Sequence, residues 1–291
     1  MNQASSELII VRAVAELRRR VGDWRRQGAS IGLVPTMGAI HDGHLALVRA
    51  AREECDRVVA SLFVNPTQFG ENEDLSSYPR DEADDARMLG AHGVEILFTP
   101  TVAEMYPDGM ATTVSVPGLA EHLCGAHRPG HFAGVATVVA KLLTECRPDR
   151  AYFGEKDYQQ LRVVTRMARD LGLGAEIRGV PTVREADGLA LSSRNAYLSA
   201  GQRRIAVALS QTLGAAASAI AGGAATSGEV ARARAALIEA GFGKVDYVEV
   251  CDAATLEPLE RVAPGRPARV LAAAWIGSTR LIDNFAIETG G

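Results

Sequence analysis

The sequence predicts an α/β protein in which a doubly wound parallel sheet is followed by a second, smaller α+β domain. The first observation is that short apolar runs alternate with helical patterns as far as about residue 180. This alternation is expected of βαβ units and of a parallel sheet covered on both faces. The second is that the alternation then stops, and Ala-rich helical segments precede several β-like runs. We therefore expect domains at 1–180 and 181–291.

In the first domain, each predicted strand is a short apolar run, and each predicted helix carries apolar residues three or four positions apart. The first predicted strand, Ile31–Val34, is expected to break at Pro35. In chain order the elements are strand Ile31–Val34, helix His41–Cys55, strand Val58–Val64, helix Asp81–His92, strand Glu95–Phe98, helix Gly134–Glu145, strand Ala151–Phe153, helix Gln159–Leu171 and strand Glu176–Val180.

The second domain is expected to place its helices before its strands. They are helices Ala200–Ala221 and Ser227–Ala240 and strands Val245–Val250, Arg269–Trp275 and Arg280–Asn284. No low-complexity linker separates the two domains, so we expect them to touch over a hinge.

Composition excludes several classes of function. A formal net charge of -4 gives no electrostatic case for binding nucleic acid. The N-terminal Met1–Glu7 lacks the apolar core of a signal peptide, and polar and Gly residues interrupt Ala200–Ala221, so we expect no membrane span. The cysteines form no Cys-x-x-Cys pair, which favours reduced thiols in a cytoplasmic protein; they are Cys55, Cys124, Cys146 and Cys251.

Two histidines lie between the first predicted strand and the following helix. His41 and His44 are three residues apart, so on a first helical turn they point the same way. A helix N-terminus at the end of a strand presents free N–H groups and the positive end of the helix dipole to an anion. Two imidazole donors there suit a polyphosphate under attack at phosphorus. Taken alone, the pair could also be a surface feature or a helix cap. Zinc is a weaker alternative, since no cysteine cluster supplies further ligands.

A polar segment, Asn65–Phe69, follows the second predicted strand. The amide of Gln68 can both donate and accept, which suits the hydroxyl and carboxylate groups of a small polar substrate. Considered alone, Gln68 is better explained as a solvated surface residue, as is Gln160, and Asn65 before proline is better explained as a turn residue.

The segment Gly154–Gln160 follows the fourth predicted strand and enters a helix. Lys156 could hold a phosphate as a point charge, and Gln160 supplies a second amide. Asp157 also suits an N-cap, which is its alternative role. Because ligands of such sheets bind beyond the carboxyl ends of the strands, we expect all these segments to meet in one crevice.

Three further segments are ambiguous. Ser192–Asn195 carries hydroxyls and a guanidinium that could close over a triphosphate, or it is an ordinary turn with an exposed Arg194. His131 is either a phosphate contact or an interior histidine. The acidic run Asp81–Asp85 is interpreted as a solvated helix face rather than a metal site.

Several motifs together resemble the pantothenate synthetases, the pantoate–β-alanine ligases. They are Val34–His44, Phe63–Phe69, Tyr78–Arg80, Tyr106–Gly109, Arg128–Phe132, Gly154–Gln160 and Asp187–Asn195. They occur in order and at similar spacing, and the resemblance runs from about residue 8 to Glu288. The His-x-Gly-His element is shared more widely with nucleotidylyltransferases and class I aminoacyl-tRNA synthetases.

The resemblance implies a Rossmann-like first domain, a C-terminal domain that acts as a lid, and a homodimer. It also implies a reaction in two steps. The carboxylate of pantoate attacks the α-phosphorus of Mg-ATP and gives pantoyl adenylate and pyrophosphate. The amine of β-alanine then attacks that mixed anhydride, yielding pantothenate and AMP.

The resemblance also implies roles for individual residues. Those expected to be catalytic are His41, His44, Lys156 and Arg194. Those expected to bind ATP are Pro35, Met37, Gly38, His41, His44, Gly154, Lys156, Asp157, Ser192, Ser193 and Arg194. Those expected to bind pantoate or β-alanine are Asn65, Gln68, Phe69 and Gln160. Metal ligands are left unassigned.

The chain departs from the family pattern at a few positions. Asp42 stands where many relatives carry Glu, and Ile40 where many carry Leu. Cys124 occupies a place where Glu is frequent, which leaves an acidic role there in doubt.

Two other functions remain open. A nucleotidylyltransferase that stops at a nucleotide-linked product would use His41 and His44 equally well, whereas Gln68 and Gln160 favour the ligase. A catalytically silent nucleotide-binding module would not need so many charge-stabilising groups.

Overall fold

The computed structural model describes residues 8–70, 75, 78 and 81–289. The predicted polar N-terminus, Met1–Glu7, and the motif residues Pro79 and Arg80 lie outside these ranges. The strands are β1 Ile9–Val11, β2 Ile31–Thr36, β3 Arg57–Leu62, β4 Ile96–Phe98, β5 Arg150–Gly154, β6 Glu176–Val180, β7 Lys244–Asp252, β8 Ala268–Ile276 and β9 Thr279–Ile287.

The helices alternate with the strands through β6 and then precede β7–β9 in a pair. They are α1 Val14–Arg26, α2 Asp42–Glu54, α3 Glu82–Ala91, α4 Val102–Met105, α5 Cys124–His127, α6 His131–Cys146, α7 Tyr158–Asp170, α8 Ala200–Ala221 and α9 Thr226–Ala240. Short 3₁₀ turns lie at Pro66–Gln68, Pro107–Gly109, Glu155–Asp157 and Ser193–Tyr197.

The predicted fold class is confirmed. The first sheet is parallel throughout, with strand order β1-β4-β3-β2-β5-β6, and the C-terminal sheet is antiparallel, with order β7-β8-β9. From β2 the chain moves outward to β3 and β4, and it later returns to β5 on the other side of β2. Ligand sites in open α/β sheets lie at such a reversal of strand order. The fold thus places a crevice beyond the carboxyl ends of β2 and β5.

The sequence did not predict β1 and α1. The exposed Ile9 and Ile10 give β1 no buried apolar run, and only Leu17 and Val21 of α1 are buried among charged residues. Because β1 is an edge strand, it needs little apolar surface of its own.

The predicted end of the first strand at Pro35 is wrong, since β2 continues through Pro35 to Thr36. The Thr36 carbonyl accepts a bond from the Phe63 N–H on the β3 side. Adjacent residues of a strand bond to opposite neighbours, so Pro35 faces β5, whose pairing with β2 ends at Leu33. A residue without an N–H is tolerated at such an unpaired position. The helix expected from Gly134 likewise begins earlier, at His131, after the left-handed Gly130.

Three apolar clusters account for the core. One face of the first sheet packs on α1, α6 and α7, and the other on α2 and α3, so both faces are covered as predicted. The third cluster lies between α8, α9 and the C-terminal sheet. The opposite face of that sheet contributes Tyr247, Cys251 and Leu271 to the first cluster. The two parts therefore pack directly on one another, while the boundary at residue 180 stays a prediction.

Among the residues that the structure describes, one helix, α8, is long and apolar enough to span a membrane by length and composition. Its buried residues include Leu209, Leu213 and Ile220, which pack in the C-terminal cluster. Packing of this kind is expected of a core helix.

Candidate active site

The two histidines of the first motif cap α2 reciprocally. Nδ1 of His41 accepts a hydrogen bond from the Gly43 N–H at 3.1 Å, and Nδ1 of His44 accepts from the His41 N–H at 3.4 Å. A backbone N–H can only donate, so each neutral imidazole carries its proton on Nε2. The ring centroids are 4.1 Å apart. The motif therefore presents two adjacent Nε2–H donors at the N-terminus of a helix.

Burial keeps both rings neutral. It lowers the pKa of His44 to about 3, with a smaller contribution from the neighbouring His41. Burial also lowers the pKa of His41, and the charge of Lys156 acts in the same direction. At neutral pH both side chains are therefore hydrogen-bond donors without a formal charge.

The loop before the histidines is held by a buried carboxylate. Asp85 of α3 accepts hydrogen bonds from the N–H groups of Ala39 at 3.0 Å and Ile40 at 2.8 Å, and it is only 3% exposed. Gly38 and Ala39 both have positive φ, and a Cβ at Gly38 would lie 2.9 Å from Asp85 Oδ2. The interpretation of the whole acidic run as a solvated face is therefore wrong at Asp85. The apolar periodicity of the sequence does not reveal that Asp85 is buried.

Gln68 is oriented by the residues around it. Asn65 donates to Gln68 Oε1 at 3.1 Å, which leaves the Gln68 amide nitrogen on the side of Met37 Sδ, at 3.1 Å. Asn65 is 1% exposed, and its Oδ1 accepts from the Tyr106 hydroxyl at 2.7 Å. His131 bonds through Nδ1 to the Gln68 carbonyl at 2.8 Å. Asn65 and His131 thus both hold Gln68 in place.

Lys156 lies on the 3₁₀ turn that follows β5. Its Nζ is 3.8 Å from Asp157 Oδ2, and its side chain is largely buried. Asp157 occupies the N-cap position of α7, but its side chain makes no capping hydrogen bond and is half exposed. Capping therefore does not account for Asp157, whose carboxylate faces the same crevice as Lys156.

The loop at Ser192–Arg194 forms the turn that its sequence suggests. Ser192 Oγ accepts from the Arg194 N–H at 3.3 Å and starts the 3₁₀ turn. Ser193 Oγ lies 3.3 Å from the Tyr78 hydroxyl across the crevice. The Ser192–Arg194 segment therefore forms a local turn and also lies at the crevice.

Most of the predicted residues line one cavity of about 220 Å³ at the carboxyl ends of β2 and β5. They are Pro35, Met37, His41, His44, Gln68, Phe69, Gly154, Lys156, Asp157, Gln160, Ser192, Ser193 and Arg194. Its apolar wall is formed by Val135, Val138, Val139, Leu142 and Phe153. Gly38 and Asn65 do not line it, because the first forms the turn beneath the histidines and the second lies behind Gln68.

A second cavity of about 650 Å³ adjoins the first and is bounded by the C-terminal sheet. The residues that line both cavities are Arg128, His131, Lys156, Asp157, Gln160, Ser192 and Arg194. The candidate active site is therefore the polar boundary at which the two connected cavities meet, and we call this boundary the seam.

Comparison with known proteins agrees with this geometry. The family model described as pantoate-beta-alanine ligase matches residues 9–286. The chain belongs to the pantoate–β-alanine ligase family. The pantothenate synthetase of Paramagnetospirillum magneticum is 58% identical over 98% of this chain and 99% of its own length. Membership of this family makes the chain an enzyme of the ligase class.

Solved ligase structures extend the match to the fold. Pantothenate synthetase from Thermus thermophilus superposes with a TM-score of 0.91 at 48% identity, covering 97% of this chain and 100% of the other. The Francisella tularensis pantoate-beta-alanine ligase, complexed with beta-gamma ATP and β-alanine, gives a TM-score of 0.82 at 34% identity, covering 97% and 99%. The resemblance stated from the motifs is thereby confirmed.

Cys124 is one position where this ligase departs from the pattern noted above. Its Sγ lies 3.1 Å from the Tyr247 hydroxyl and 3.3 Å from Arg280 Nη1, at the wall of the larger cavity. Arg280 is also paired with Asp246 at 2.8 Å, so a carboxylate reaches this guanidinium from β7. The four cysteines are buried and free of disulfides.

Proposed function

We propose that this chain condenses pantoate with β-alanine at the expense of ATP, through a pantoyl adenylate, and releases AMP and pyrophosphate. The observation that carries this proposal is the seam itself, where the neutral donors of His41 and His44 face Lys156 and Arg194 across one cavity. Preorganised donors and cations of this kind stabilise charge that develops at phosphorus. Family membership supports the identity of the two other substrates.

In the first step, a carboxylate oxygen of pantoate forms a bond to the α-phosphorus, and the bond from that phosphorus to the bridging oxygen of pyrophosphate breaks. Gln68 and Gln160 would hold pantoate against the apolar wall. The Nε2–H groups of His41 and His44 would bind phosphate oxygens, and Lys156 would balance the charge that collects on the leaving pyrophosphate. Asp157 would hold the ribose, and Ser192, Ser193 and Arg194 would close over the triphosphate.

In the second step, the amine of β-alanine attacks the acyl carbon of the adenylate. The C–O bond to AMP breaks and AMP leaves with its electron pair, while the amide bond forms. The attacking group is the free amine, and the proton that its nitrogen loses on forming the amide passes to water. Positioning two bound reactants is itself a large part of the rate enhancement.

We propose that Mg²⁺ enters as part of the Mg-ATP substrate. Within the described ranges, no three His, Cys, Asp or Glu side chains are grouped closely enough to hold a metal ion. Mg²⁺ characteristically keeps several waters and binds substrate phosphates. The ion would then neutralise phosphate charge alongside Lys156.

The remaining expectations are part of the same proposal. The family pattern supports a homodimer, with residues 181–291 acting as a lid, and the net charge of -4 supports small-molecule partners rather than nucleic acid. Four buried, unpaired cysteines agree with a cytoplasmic location. Sedimentation equilibrium tests the dimer.

The proposal is tested by incubating the protein with Mg-ATP, pantoate and β-alanine and identifying the products by mass spectrometry. Pantothenate and AMP in equal amounts are the expected result. A nucleotide-linked pantoate that accumulates and does not react with β-alanine would assign a nucleotidylyltransferase instead. ATP binding with no turnover would leave a binding module and refute the ligase proposal.

A further inference from the structure

Two adjacent residues of β9 contact the Lys156 turn and the hairpin that leads into the Ser192–Arg194 loop. The Asn284 side chain donates from one amide nitrogen to the carbonyl oxygens of Glu155 at 2.9 Å and Lys156 at 3.0 Å. Asn284 is 4% exposed, so these bonds are shielded from water. The backbone of the Lys156 turn is therefore held by the C-terminal sheet as well as by β5.

The neighbouring Asp283 holds the hairpin that precedes the second loop. Its carboxylate accepts two bonds from the Arg184 guanidinium, at 2.7 and 2.9 Å, and it is 3% exposed. Arg184 also donates to the Gly188 carbonyl at 3.1 Å and pairs with Ala190 in an antiparallel bridge. This hairpin leads directly into Ser192. A bidentate Arg–carboxylate pair fixes orientation as well as distance.

Arg269 of β8 completes the arrangement. It donates to Asn284 Oδ1 and, at 2.7 Å, to Glu155 Oε2, and its guanidinium lies 3.9 Å from the centre of the Tyr158 ring. The Asn284 oxygen is therefore occupied by Arg269, while its two N–H donors are occupied by the two carbonyls. The amide can take only one orientation, in which every polar atom is satisfied.

We propose that Asp283 and Asn284 are positioning residues, which set the distance between the Lys156 turn and the Ser192–Arg194 loop for the phosphates of ATP. The inference rests on the phosphate roles given to those loops in the proposed function. Neither residue lies on a motif used to predict the site. In this arrangement the C-terminal domain is part of the nucleotide site and also a cover over it.

The physical reason for such a junction is that the two loops come from different parts of the chain. Lys156 follows β5 of the parallel sheet, whereas Ser192–Arg194 follows the hairpin beyond residue 180. Groups that act on one phosphate chain must be held closely, since a misplacement of about 1 Å can reduce a rate by roughly 10²-fold. Because Asp283 and Asn284 are neighbours on one strand, the contacts that they make fix the positions of the two loops relative to each other.

The sharpest test is Asn284→Asp, which keeps the shape of the side chain but replaces the two donors by an oxygen facing two carbonyl oxygens. We expect the dissociation constant for ATP, measured by calorimetry without pantoate, to rise at least about tenfold. Arg184→Lys keeps the charge opposite Asp283 but loses the bidentate pair, and should weaken ATP binding to a smaller extent. It also serves as the second variant if Asn284→Asp does not fold.

Leu237→Ala is the matched control. Leu237 is fully buried in the C-terminal cluster and lines neither cavity, so its truncation lowers the stability of the same domain by opening a cavity. ATP binding by this variant should equal that of the wild type at a temperature where both are folded.

An unchanged ATP affinity in Asn284→Asp and Arg184→Lys would overturn the inference and leave both residues with a structural role only. Because ATP binding is measured without pantoate or β-alanine, the result does not depend on condensation. Absence of pantothenate from the wild-type reaction would instead refute the proposed function.

Discussion

The two sides of the active-site seam are held in place by different means. On one side, His41 and His44 are oriented by hydrogen bonds that join residues two and three positions apart in the chain. On the other, the turn that carries Lys156 is held by Asn284, 128 residues away from Lys156. A short motif can therefore carry both the groups and the geometry of the histidine side. On the lysine side, the short motif supplies the functional side chains, but residues far away in the sequence fix their positions.

Removing a histidine donor should have the largest effect. His44→Ala deletes one preorganised Nε2–H, and turnover should fall by roughly 10²–10³, the range for losing one such donor. The measurement is kcat with saturating Mg-ATP, pantoate and β-alanine. His92→Ala, at the exposed end of α3, is the control and should retain wild-type activity. A His44→Ala rate within a few-fold of wild type would show that the histidine motif has no central role in catalysis.

Loss of Lys156 should affect one half-reaction more than the other. Lys156→Ala removes the charge that we propose to act on the triphosphate, so adenylate formation should slow by about 10- to 100-fold, the scale of one charge-assisted hydrogen bond. Consumption of adenylate by β-alanine should change less. Single-turnover experiments measure both rates separately.

Lys244→Ala is a suitable control for this substitution, because Lys244 is exposed and lines neither cavity. Equal losses in both half-reactions of Lys156→Ala would indicate that the lysine supports the structure of the turn rather than the chemistry of phosphate.

Replacing Gln68 should have a smaller effect, which should appear in the KM for pantoate. Gln68→Ala should raise the KM for pantoate by roughly 3- to 10-fold, which corresponds to one neutral hydrogen bond, with ATP affinity nearly unchanged. Asn65→Asp, which loses the donor that fixes Gln68, should change the same constant in the same direction. Weakened ATP binding by either variant in calorimetry would contradict this division of roles.

The neutral histidines also predict how stability depends on pH. The ordinary histidine pKa is 6.5, and burial lowers the pKa of both rings in the folded protein, to about 3 for His44. Below about pH 6.5 the unfolded chain takes up protons that the folded protein does not, so stability is complete above that pH and is lost on acidification. For His44 the loss continues toward pH 3.

Urea unfolding at several pH values measures this effect. Between pH 5.0 and 6.5, His44→Gln should reduce the slope of unfolding free energy against pH by up to about 1.4 kcal/mol per pH unit, the contribution of one proton. Identical slopes for the two proteins would show that His44 titrates normally in the folded state.

The same contrast explains how much could be predicted from the sequence. The α/β class, the crevice and most cavity-lining residues follow from apolar periodicity and from polar segments at the ends of strands. Asp85, Asp283 and Asn284 could not be recognised in this way. Each is a buried polar residue whose partners are distant in sequence, and a pattern of local periodicity carries no information about such partners.

Pro35 and Asn65 show the limit at shorter range. A proline normally ends a central strand, and only the end of β5 pairing at Leu33 explains why β2 continues through Pro35. Asn65 looks like a turn residue and does start a turn, but its buried amide also orients Gln68. In both cases the deciding contact comes from a part of the chain that only the fold brings near.

A separate adenylate step is tested by measuring pyrophosphate release in a single turnover. The enzyme, in excess over Mg-ATP, is mixed with pantoate in the absence of β-alanine. We predict a burst of pyrophosphate that requires pantoate, followed by AMP and pantothenate only when β-alanine is added. Pyrophosphate that appears only once β-alanine is present would contradict a separate adenylate step and with it the roles assigned to His41, His44 and Lys156.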